Sequence, residues 1–275
     1  NEIREAVKGS DMVCITCGLG GGTGTGASPI VAEIAKDAGA LTIAVVTRPF
    51  SFEGLQRREI AESGLEELAQ KVDALIVIPN DKILQIIDKK TSLLDAFSVV
   101  DNVLHMGVQG IAEIITVPGL INVDFADVKA IIQNTGTALM GIGEASGENR
   151  AQIAAKAAIF SPLLDISIEG AKGVLFTICG GKDLTMHEVN EAAKVITEQI
   201  DDNAKIIFGA VINEDLKDQF KVTVIATGFD SRSQVAVARE KEKPKFDSYY
   251  HENSYLREKG EETSRKQTKI KKDQL

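Results

Sequence analysis

Hydrophobic and polar positions alternate in a regular order between Asp11 and about Pro79. Short apolar runs, typical of buried strands, are separated by longer stretches in which apolar residues recur every three or four positions, as on one face of a helix. The five segments are, in chain order, DMVCITC, PIVAEIAKDAG, LTIAVVT, RREIAESGLEELAQKV and DALIVI. This order of strand, helix, strand, helix and strand predicts a parallel sheet with helices packed on it.

A long helix is predicted next, from Ser92 to about Val117. Apolar residues lie on nearly all of its sides, so we expect a buried, central helix. The alternation of strands and helices then resumes and continues to about Gly228. This second part of the chain predicts a smaller α/β domain with a mixed sheet.

The composition excludes several classes of protein. The chain has 275 residues, is 44% hydrophobic and carries a formal charge of −9, which argues against nucleic acid as the main partner. No apolar run approaches the roughly 20 residues of a membrane span and no signal peptide opens the chain, so we expect a cytoplasmic protein without direct membrane insertion. Cys14 and Cys17 lie three positions apart on a predicted strand and so point to opposite faces, and no spacing predicts a metal site.

The most informative stretch is GLGGGTGTGAS, residues 18–28, between the first predicted strand and the first predicted helix. Glycine allows a ligand to approach the backbone closely. A helix that begins at about Pro29 would add unpaired N–H groups and the positive end of its dipole. The stretch therefore predicts a binding site for phosphate groups.

Three kinds of phosphate loop are candidates for this stretch. A Walker-type loop requires Lys and then Ser or Thr after the last glycine, whereas this chain continues with AS. A dinucleotide fingerprint fits Gly22, Gly24 and Ala27, with Arg48 available for a ribose phosphate, so an NADP-binding Rossmann enzyme remains an alternative. The third kind is GGGTGTG, residues 20–26, which resembles the signature of the tubulin and FtsZ superfamily.

From about Asp11 to Gly228 the sequence resembles FtsZ, the bacterial tubulin-like cell-division GTPase. The resemblance implies a tubulin/FtsZ-like α/β fold, in which a long central helix joins a parallel-sheet nucleotide-binding domain to a smaller mixed-sheet domain. It implies GTP and GDP as ligands, with Mg²⁺ accompanying the nucleotide. The phosphate-binding residues that it implies in the glycine-rich loop are Gly20, Gly21, Gly22, Thr23, Gly24, Thr25 and Gly26.

The segment RPFSFEG, residues 48–54, is similar to the ribose-contacting loop of the family. By this resemblance Glu53 accepts hydrogen bonds from the ribose hydroxyls, and Arg57, one helical turn further on, pairs with the γ-phosphate. An exposed ion pair between Glu53 and Arg57 is the structural alternative.

Three residues are candidates for binding the nucleoside. Asn80 ends the third predicted strand, where α/β sheets usually bind ligands. Phe97 and Asp101 lie on the same face of the long helix, so that a ring for stacking stands beside a carboxylate for the N1 and N2 positions of guanine. Simple core packing is the alternative for Phe97.

The segment NVDFADV, residues 122–128, carries Asp124 and Asp127 in the first turn of a predicted helix. Acidic residues are common there because they cap the helix. The family resemblance implies that both aspartates project into the nucleotide site of the adjoining subunit, where one carboxylate polarises the attacking water. Hydrolysis then requires head-to-tail contact between copies, which generates open filaments. These filaments would form the division ring at mid-cell, together with division-site and membrane-anchoring proteins.

The resemblance divides the chain into three predicted parts. Residues 1–117 form a partial GTP-binding domain that ends in the central helix, residues 118–229 form the catalytic-loop and carboxyl-terminal α/β domain, and residues 230–275 form a disordered, charged tail. Compared with the family, we expect that an amino-terminal segment is missing and that no clear carboxyl-terminal recruitment peptide is present. A truncated, non-hydrolysing binding or capping protein of the same filament is therefore a second alternative.

Overall fold

The strands predicted from the sequence join in one seven-stranded sheet. The computed structural model describes residues 1–229 apart from 85, 86, 89, 118, 162, 163, 165 and 166, so the tail predicted for residues 230–275 lies outside the described residues. The strands are β1 (Met12–Gly18), β2 (Leu41–Arg48), β3 (Ala74–Pro79), β4 (Gly136–Ser146), β5 (Gly173–Gly180), β6 (Lys205–Ile212) and β7 (Gln219–Thr227).

Eight α-helices occur in the described part of the chain, and a 3-10 turn at Ser51–Glu53 follows β2. The helices are α1 (Glu2–Val7), α2 (Gly22–Asp37), α3 (Leu55–Ala69), α4 (Asn80–Ile83), α5 (Leu93–Thr116), α6 (Phe125–Ile132), α7 (Arg150–Ile159) and α8 (Met186–Thr197).

The sheet has the strand order β1-β2-β3-β4-β7-β5-β6. The first four strands are parallel, β7 runs antiparallel to both β4 and β5, and β5 is parallel to β6. The first residues of β4 pair with β3, from Gly136 to Ala138, and the rest of the strand pairs with β7. The predicted α/β fold class is confirmed, and β4 is the strand that the parallel and mixed groups share.

Strand β2 explains why this part of the chain forms a parallel sheet covered on both faces. Its residues Ile43 and Val45 belong to a core cluster with α5, whereas Ala44 and Val46 belong to a cluster with α2 and α3. A strand buried on both faces has a continuous apolar sequence, which is typical of parallel sheets between helices.

The long helix α5 is less buried than its composition predicts. Its buried residues follow the spacing of one helical face and are Ala96, Val100, Val103, Gly107, Gly110, Ile111 and Ile114. Leu93 and Leu94 are exposed, as is the polar side that carries Asn102 and His105. The expectation of a buried, central helix is therefore met in full on this face only, and other apolar residues of α5, among them Leu104 and Val108, are partly buried against the same core cluster.

An ion cluster around the buried Arg150 joins α7 to the start of α8. The guanidinium of Arg150 lies 2.6 Å from a carboxylate oxygen of Glu188 and 2.5 Å from one of Asp183. Glu188 also accepts a hydrogen bond from the backbone N–H of Thr185, which caps α8. The hydrogen bonds from Arg150 lower the pKa of Glu188 to about 2 from an ordinary value of 4.5.

We expect the substitution Glu188→Gln to lower the free energy of unfolding at pH 7 by about 1–3 kcal/mol. Because the pKa of Glu188 is depressed in the folded state, its stabilisation is complete above pH 4.5 and is lost as the pH falls towards 2. Urea unfolding at a series of pH values should therefore give a wild type and a variant that converge at low pH. Glu198→Gln, on the same helix but exposed, is the control and should stay near the wild type. A constant difference at every pH would contradict the assignment.

Candidate functional site

The glycine-rich stretch forms a short turn and the first turns of a helix. Helix α2 begins at Gly22, well before the start predicted at Pro29, which lies inside the helix. The prediction was wrong because proline favours the first helical turn and glycine favours loops. In the structure the hydrogen bond lost at Pro29 is offset by packing, since Pro29, Ala32 and Ala35 are all buried.

The glycines of this stretch fall into two groups. A Cβ atom at Gly24 would lie 2.4 Å from the carbonyl oxygen of Gly18, and one at Gly20 would lie 2.8 Å from the Cγ atom of Arg57. Gly20 also has a positive φ of 94°. In the second group a Cβ atom would meet no atom of the described chain within 4 Å, and its members are Gly21, Gly22 and Gly26. The first group serves packing, whereas the second borders open space.

The turn before α2 is held by hydrogen bonds. The N–H of Gly20 donates to Oγ1 of Thr25 over 2.9 Å, and the N–H of Leu19 donates to the carbonyl oxygen of Thr47 on β2. The first N–H groups of any helix have no partner within the helix. Those of α2 therefore face the open space beside Gly21 and Gly22, where an anion would meet the positive end of the helix dipole.

The two cysteines of β1 behave as structural thiols. Cys14 packs against the core cluster on the α5 side of the sheet, and Cys17 packs against the cluster on the α2 side. Burial raises the pKa of both thiols. The described residues contain no group of three or more histidines, cysteines and carboxylates that could hold a metal ion.

Glu53 and Arg57 form an ion pair with 3.0 Å between Oε2 and Nε. The other oxygen of Glu53 accepts a hydrogen bond of 2.8 Å from the N–H of Phe50, so the carboxylate is fixed against its own turn. Arg57 is half exposed and packs against Gly20 of the glycine-rich turn. The structure thus brings the predicted ribose residue and the predicted phosphate residue together beside α2.

The predicted nucleoside residues lie at the same edge of the sheet. Asn80 is 6% exposed, and its Oδ1 has no hydrogen-bond partner among the described residues. The ring of Phe97 makes an edge contact with Phe50, with 5.7 Å between centroids, and stays 41% exposed. Asp101 is exposed one turn further along α5. Phe97 is therefore not fully packed in the core, and part of its surface is available for stacking.

Arg48, the residue that the dinucleotide alternative needs, is already paired. Its Nη2 atom lies 3.0 Å from the Oε2 atom of Glu62 on α3. Arg57 is paired with Glu53 at the same distance, so this ion pair does not by itself decide between the nucleotide alternatives.

Asp124 is the N-cap residue of α6. Its Oδ1 atom accepts a hydrogen bond of 2.8 Å from the N–H of Asp127, so the capping role expected from sequence is observed. The carboxylate of Asp127 makes no hydrogen bond or ion pair to a described residue. Both side chains therefore present carboxylate oxygen to the surface.

The loop before α6 contains two contacts that the sequence analysis missed. Ile121 and Ala210 exchange backbone hydrogen bonds, which adds the loop to the edge strand β6. Oδ1 of Asn122 accepts a hydrogen bond of 2.7 Å from the N–H of Gly119. Asparagine is typical of such turns, so Asn122 was a local signal for this hydrogen bond. The bridge between Ile121 and Ala210 has no local signal, because β6 follows far along the chain.

The aspartates lie far from the other predicted site residues. Helix α5 has 24 residues and is therefore about 36 Å long. Phe97 and Asp101 are near its start, and the loop that carries Asp124 follows its end. In addition, Thr135, just after α6, donates to the carbonyl oxygen of Asp73, at the opposite end of β3 from Asn80. One chain cannot bring these two groups of residues to the same nucleotide.

Comparison with known proteins shows the family to which the chain belongs. The model for the Tubulin/FtsZ family GTPase domain matches residues 1–88, and that for the FtsZ family C-terminal domain matches residues 136–230. An FtsZ dimer structure from M. jannaschii, described as empty, is 52% identical with a TM-score of 0.80, over 84% of this chain and 67% of that chain. The chain belongs to the FtsZ family. A second M. jannaschii FtsZ structure, a point mutant, is 51% identical with a TM-score of 0.81, over 84% of this chain and 70% of that chain.

A structure of lower sequence identity shares the fold. CetZ1 from Haloferax volcanii, described as a GDP-bound monomer, is 20% identical with a TM-score of 0.66, over 85% of this chain and 70% of that chain. The two family matches lie on either side of α5 of this chain. The GTPase-domain match contains the glycine-rich turn, and the C-terminal match begins after α6. No helix in the described part of the chain combines the length and apolar character that a membrane span requires.

We expect Gly24→Ala to lower the free energy of unfolding by about 1–3 kcal/mol, because its new methyl group would overlap the carbonyl oxygen of Gly18. Gly26→Ala is the matched control in the same helix. It meets open space and should stabilise the free protein by up to about 1 kcal/mol through helix propensity. Urea unfolding of both variants measures the difference, and equal effects would contradict the division of the glycines into two groups.

Proposed function

We propose that this FtsZ-family chain binds GTP and GDP at the edge of the sheet formed by the ends of β1, β2 and β3. The observation that carries the proposal is the open space beside Gly21, Gly22 and Gly26, next to the free N–H groups at the start of α2. Glycine at these positions has no structural reason within the described chain. Backbone N–H groups at a helix start are well suited to phosphate oxygens.

The rest of the nucleotide then follows from the neighbouring side chains. The phosphates lie against residues 20–26 and near Arg57, which reaches the same turn. Glu53 takes the ribose hydroxyls, since each of its carboxylate oxygens has a second lone pair free. Asn80, Phe97 and Asp101 take the base, and the unpartnered Oδ1 of Asn80 is an acceptor that a nucleoside can satisfy.

Mg²⁺ enters this proposal only with the nucleotide. The described residues offer no cluster of ligands for a metal ion. In phosphate sites Mg²⁺ usually keeps several waters and is bound by one or two carboxylates and the substrate phosphates, where it neutralises phosphate charge.

We propose further that GTP is hydrolysed between two copies of the chain. Helix α5, which is about 36 Å long, lies between the aspartates of one chain and the residues of its own proposed nucleotide site. Head-to-tail stacking would bring Asp124 and Asp127 to the nucleotide of the next subunit, and such contacts generate open filaments. The M. jannaschii FtsZ dimer structure supports self-association in the family.

The two aspartates have different roles in this proposal. Asp124 is committed to capping α6 and fixes the backbone at Asp127. The carboxylate of Asp127, which has no partner among the described residues, polarises the attacking water by accepting a hydrogen bond from it. Positioning and charge stabilisation supply the rest of the catalysis, as in other phosphoryl transfers.

In the cell we propose that these filaments form the division ring at mid-cell. Division-site and membrane-anchoring proteins are the proposed partners of the full-length protein. The predicted domain boundaries, residues 1–117, 118–229 and 230–275, are kept as part of this proposal. The match to residues 1–88 lies in the first part, and the match to residues 136–230 ends one residue beyond the second part.

A mixing experiment tests hydrolysis between subunits. We expect Asp127→Asn to bind GTP but not hydrolyse it, and Asp101→Ala to lose GTP binding. Neither variant alone should release phosphate. In an equal mixture half of the subunits carry an intact pocket and the other half carry an intact Asp127, so about a quarter of the interfaces combine the two. The mixture should therefore recover about a quarter of the wild-type rate. Steady-state phosphate release over a range of protein concentrations gives the measurement.

Two results would decide against this mechanism. If Asp127→Asn alone hydrolyses GTP at the wild-type rate, Asp127 takes no part in catalysis. If the rate per subunit recovered in the mixture does not depend on protein concentration, hydrolysis does not require contact between subunits. If the wild-type chain binds GTP without hydrolysing it, alone and in mixtures, the capping-protein alternative takes the place of the enzyme.

Guanine recognition has a separate test in Asp101→Asn. The substitution replaces one acceptor for the guanine N1–H and N2–H groups with an amide that donates. We expect the affinity for GTP to fall by at least about tenfold and the affinity for XTP, which has a carbonyl at C2, to rise. The exposed neighbour Asn102→Ala is the control. Equilibrium binding of fluorescent nucleotides measures both, and an unchanged GTP-to-XTP preference would exclude Asp101 as the guanine reader.

A further inference from the structure

Two loops at the proposed nucleotide edge of the sheet are joined by two hydrogen bonds, both of which one carboxylate accepts. Oδ1 of Asp81 accepts a hydrogen bond of 2.9 Å from the N–H of Ser51, and its Oδ2 accepts a second, short one from the hydroxyl of Ser51. Ser51 opens the 3-10 turn that contains Glu53, and Asp81 lies in α4 next to Asn80. The sequence analysis assigned no role to either residue.

The ends of this link are held in different ways. Asp81 lies between Asn80 and Ile83, which are both buried, so α4 is a rigid support. The turn at Ser51–Glu53 is exposed, except that Phe50 anchors its start in the core. Without Asp81 no link to α4 remains, and the turn is held by the hydrogen bond between Glu53 and the N–H of Phe50 and by the ion pair between Glu53 and Arg57 of α3.

The strands before the two loops explain why they meet. Strands β2 and β3 are parallel neighbours, and Arg48 at the end of one pairs with Pro79 at the end of the other. Their carboxyl ends therefore place the two following loops side by side. The link from Asp81 fixes the spacing between the turn that carries Glu53 and the helix that carries Asn80.

We infer that Asp81 is a positioning residue that sets the ribose specificity of the nucleotide site. The inference rests on the proposed function, in which Glu53 takes the ribose hydroxyls. By clamping both donors of Ser51, Asp81 holds the turn so that the Glu53 carboxylate stays at a fixed distance from Asn80. Ribose recognition requires this geometry, whereas guanine recognition by Asp101 on α5 does not.

The experiment compares dissociation constants of the full chain for GTP, 2′-deoxy-GTP and ITP, which lacks the N2 amino group of guanine. In Asp81→Ala we expect the preference for GTP over 2′-deoxy-GTP to fall by about 5- to 10-fold, while the preference for GTP over ITP stays at the wild-type value. Asp81→Asn retains an acceptor for the N–H of Ser51 and should restore most of the ribose preference. Ser51→Ala keeps the backbone donor and should give an intermediate value.

Asp201→Ala is the matched control, because Asp201 also accepts a hydrogen bond from a backbone N–H, that of Asn203, in an exposed turn between α8 and β6. It should leave both preferences unchanged. Equal losses of the ribose and guanine preferences in Asp81→Ala, or no loss of either, would overturn the inference while wild-type binding of GTP still stands. A wild-type chain that binds none of the three nucleotides overturns the proposed function and this inference with it.

Discussion

The length of helix α5 is the constraint on which the functional arrangement depends. Its 24 residues begin beside Phe50 at the nucleotide edge of the sheet and end before the loop that carries Asp124. A helix is a stiff element whose span is fixed by its residue count, so no side-chain movement can bring its two ends together. In the proposed mechanism the two halves of the GTPase site therefore lie at opposite ends of one molecule, and a second copy is needed to combine them.

The glycine-rich turn illustrates how one segment meets two demands. Gly24 lets α2 approach β1 closely, and Gly64 does the same where α3 crosses Thr25 of α2. These contacts fix the direction of α2, and so the direction in which its free N–H groups point. The glycines beside open space add nothing to packing and leave the backbone accessible. Packing and ligand access are thus encoded by neighbouring glycines within the same few residues.

The sequence predicted the α/β order well where a parallel strand is buried on both faces, as the run LTIAVVT of β2 illustrates. It failed at Gly22, where glycine and proline carry loop and helix-start signals that tertiary packing overrides. The prediction for α5 held in full on one face only, since an apolar composition does not reveal which face meets the sheet. Among the site residues, Glu53 and Arg57 were predicted as a pair from their spacing, whereas the link between Ser51 and Asp81 joins separate loops and has no local pattern.

Strand β4 has a mechanical consequence. It pairs with β3 through three residue pairs and with β7 through eight, so the hydrogen-bonded seam on the β3 side is much the shorter of the two. Under load along the molecule, bending would concentrate at this seam, between Gly136 and Ala138. A subunit under tension would therefore deform first between β3 and β4, while β1-β2-β3 on one side and β4-β7-β5-β6 on the other move as more rigid groups.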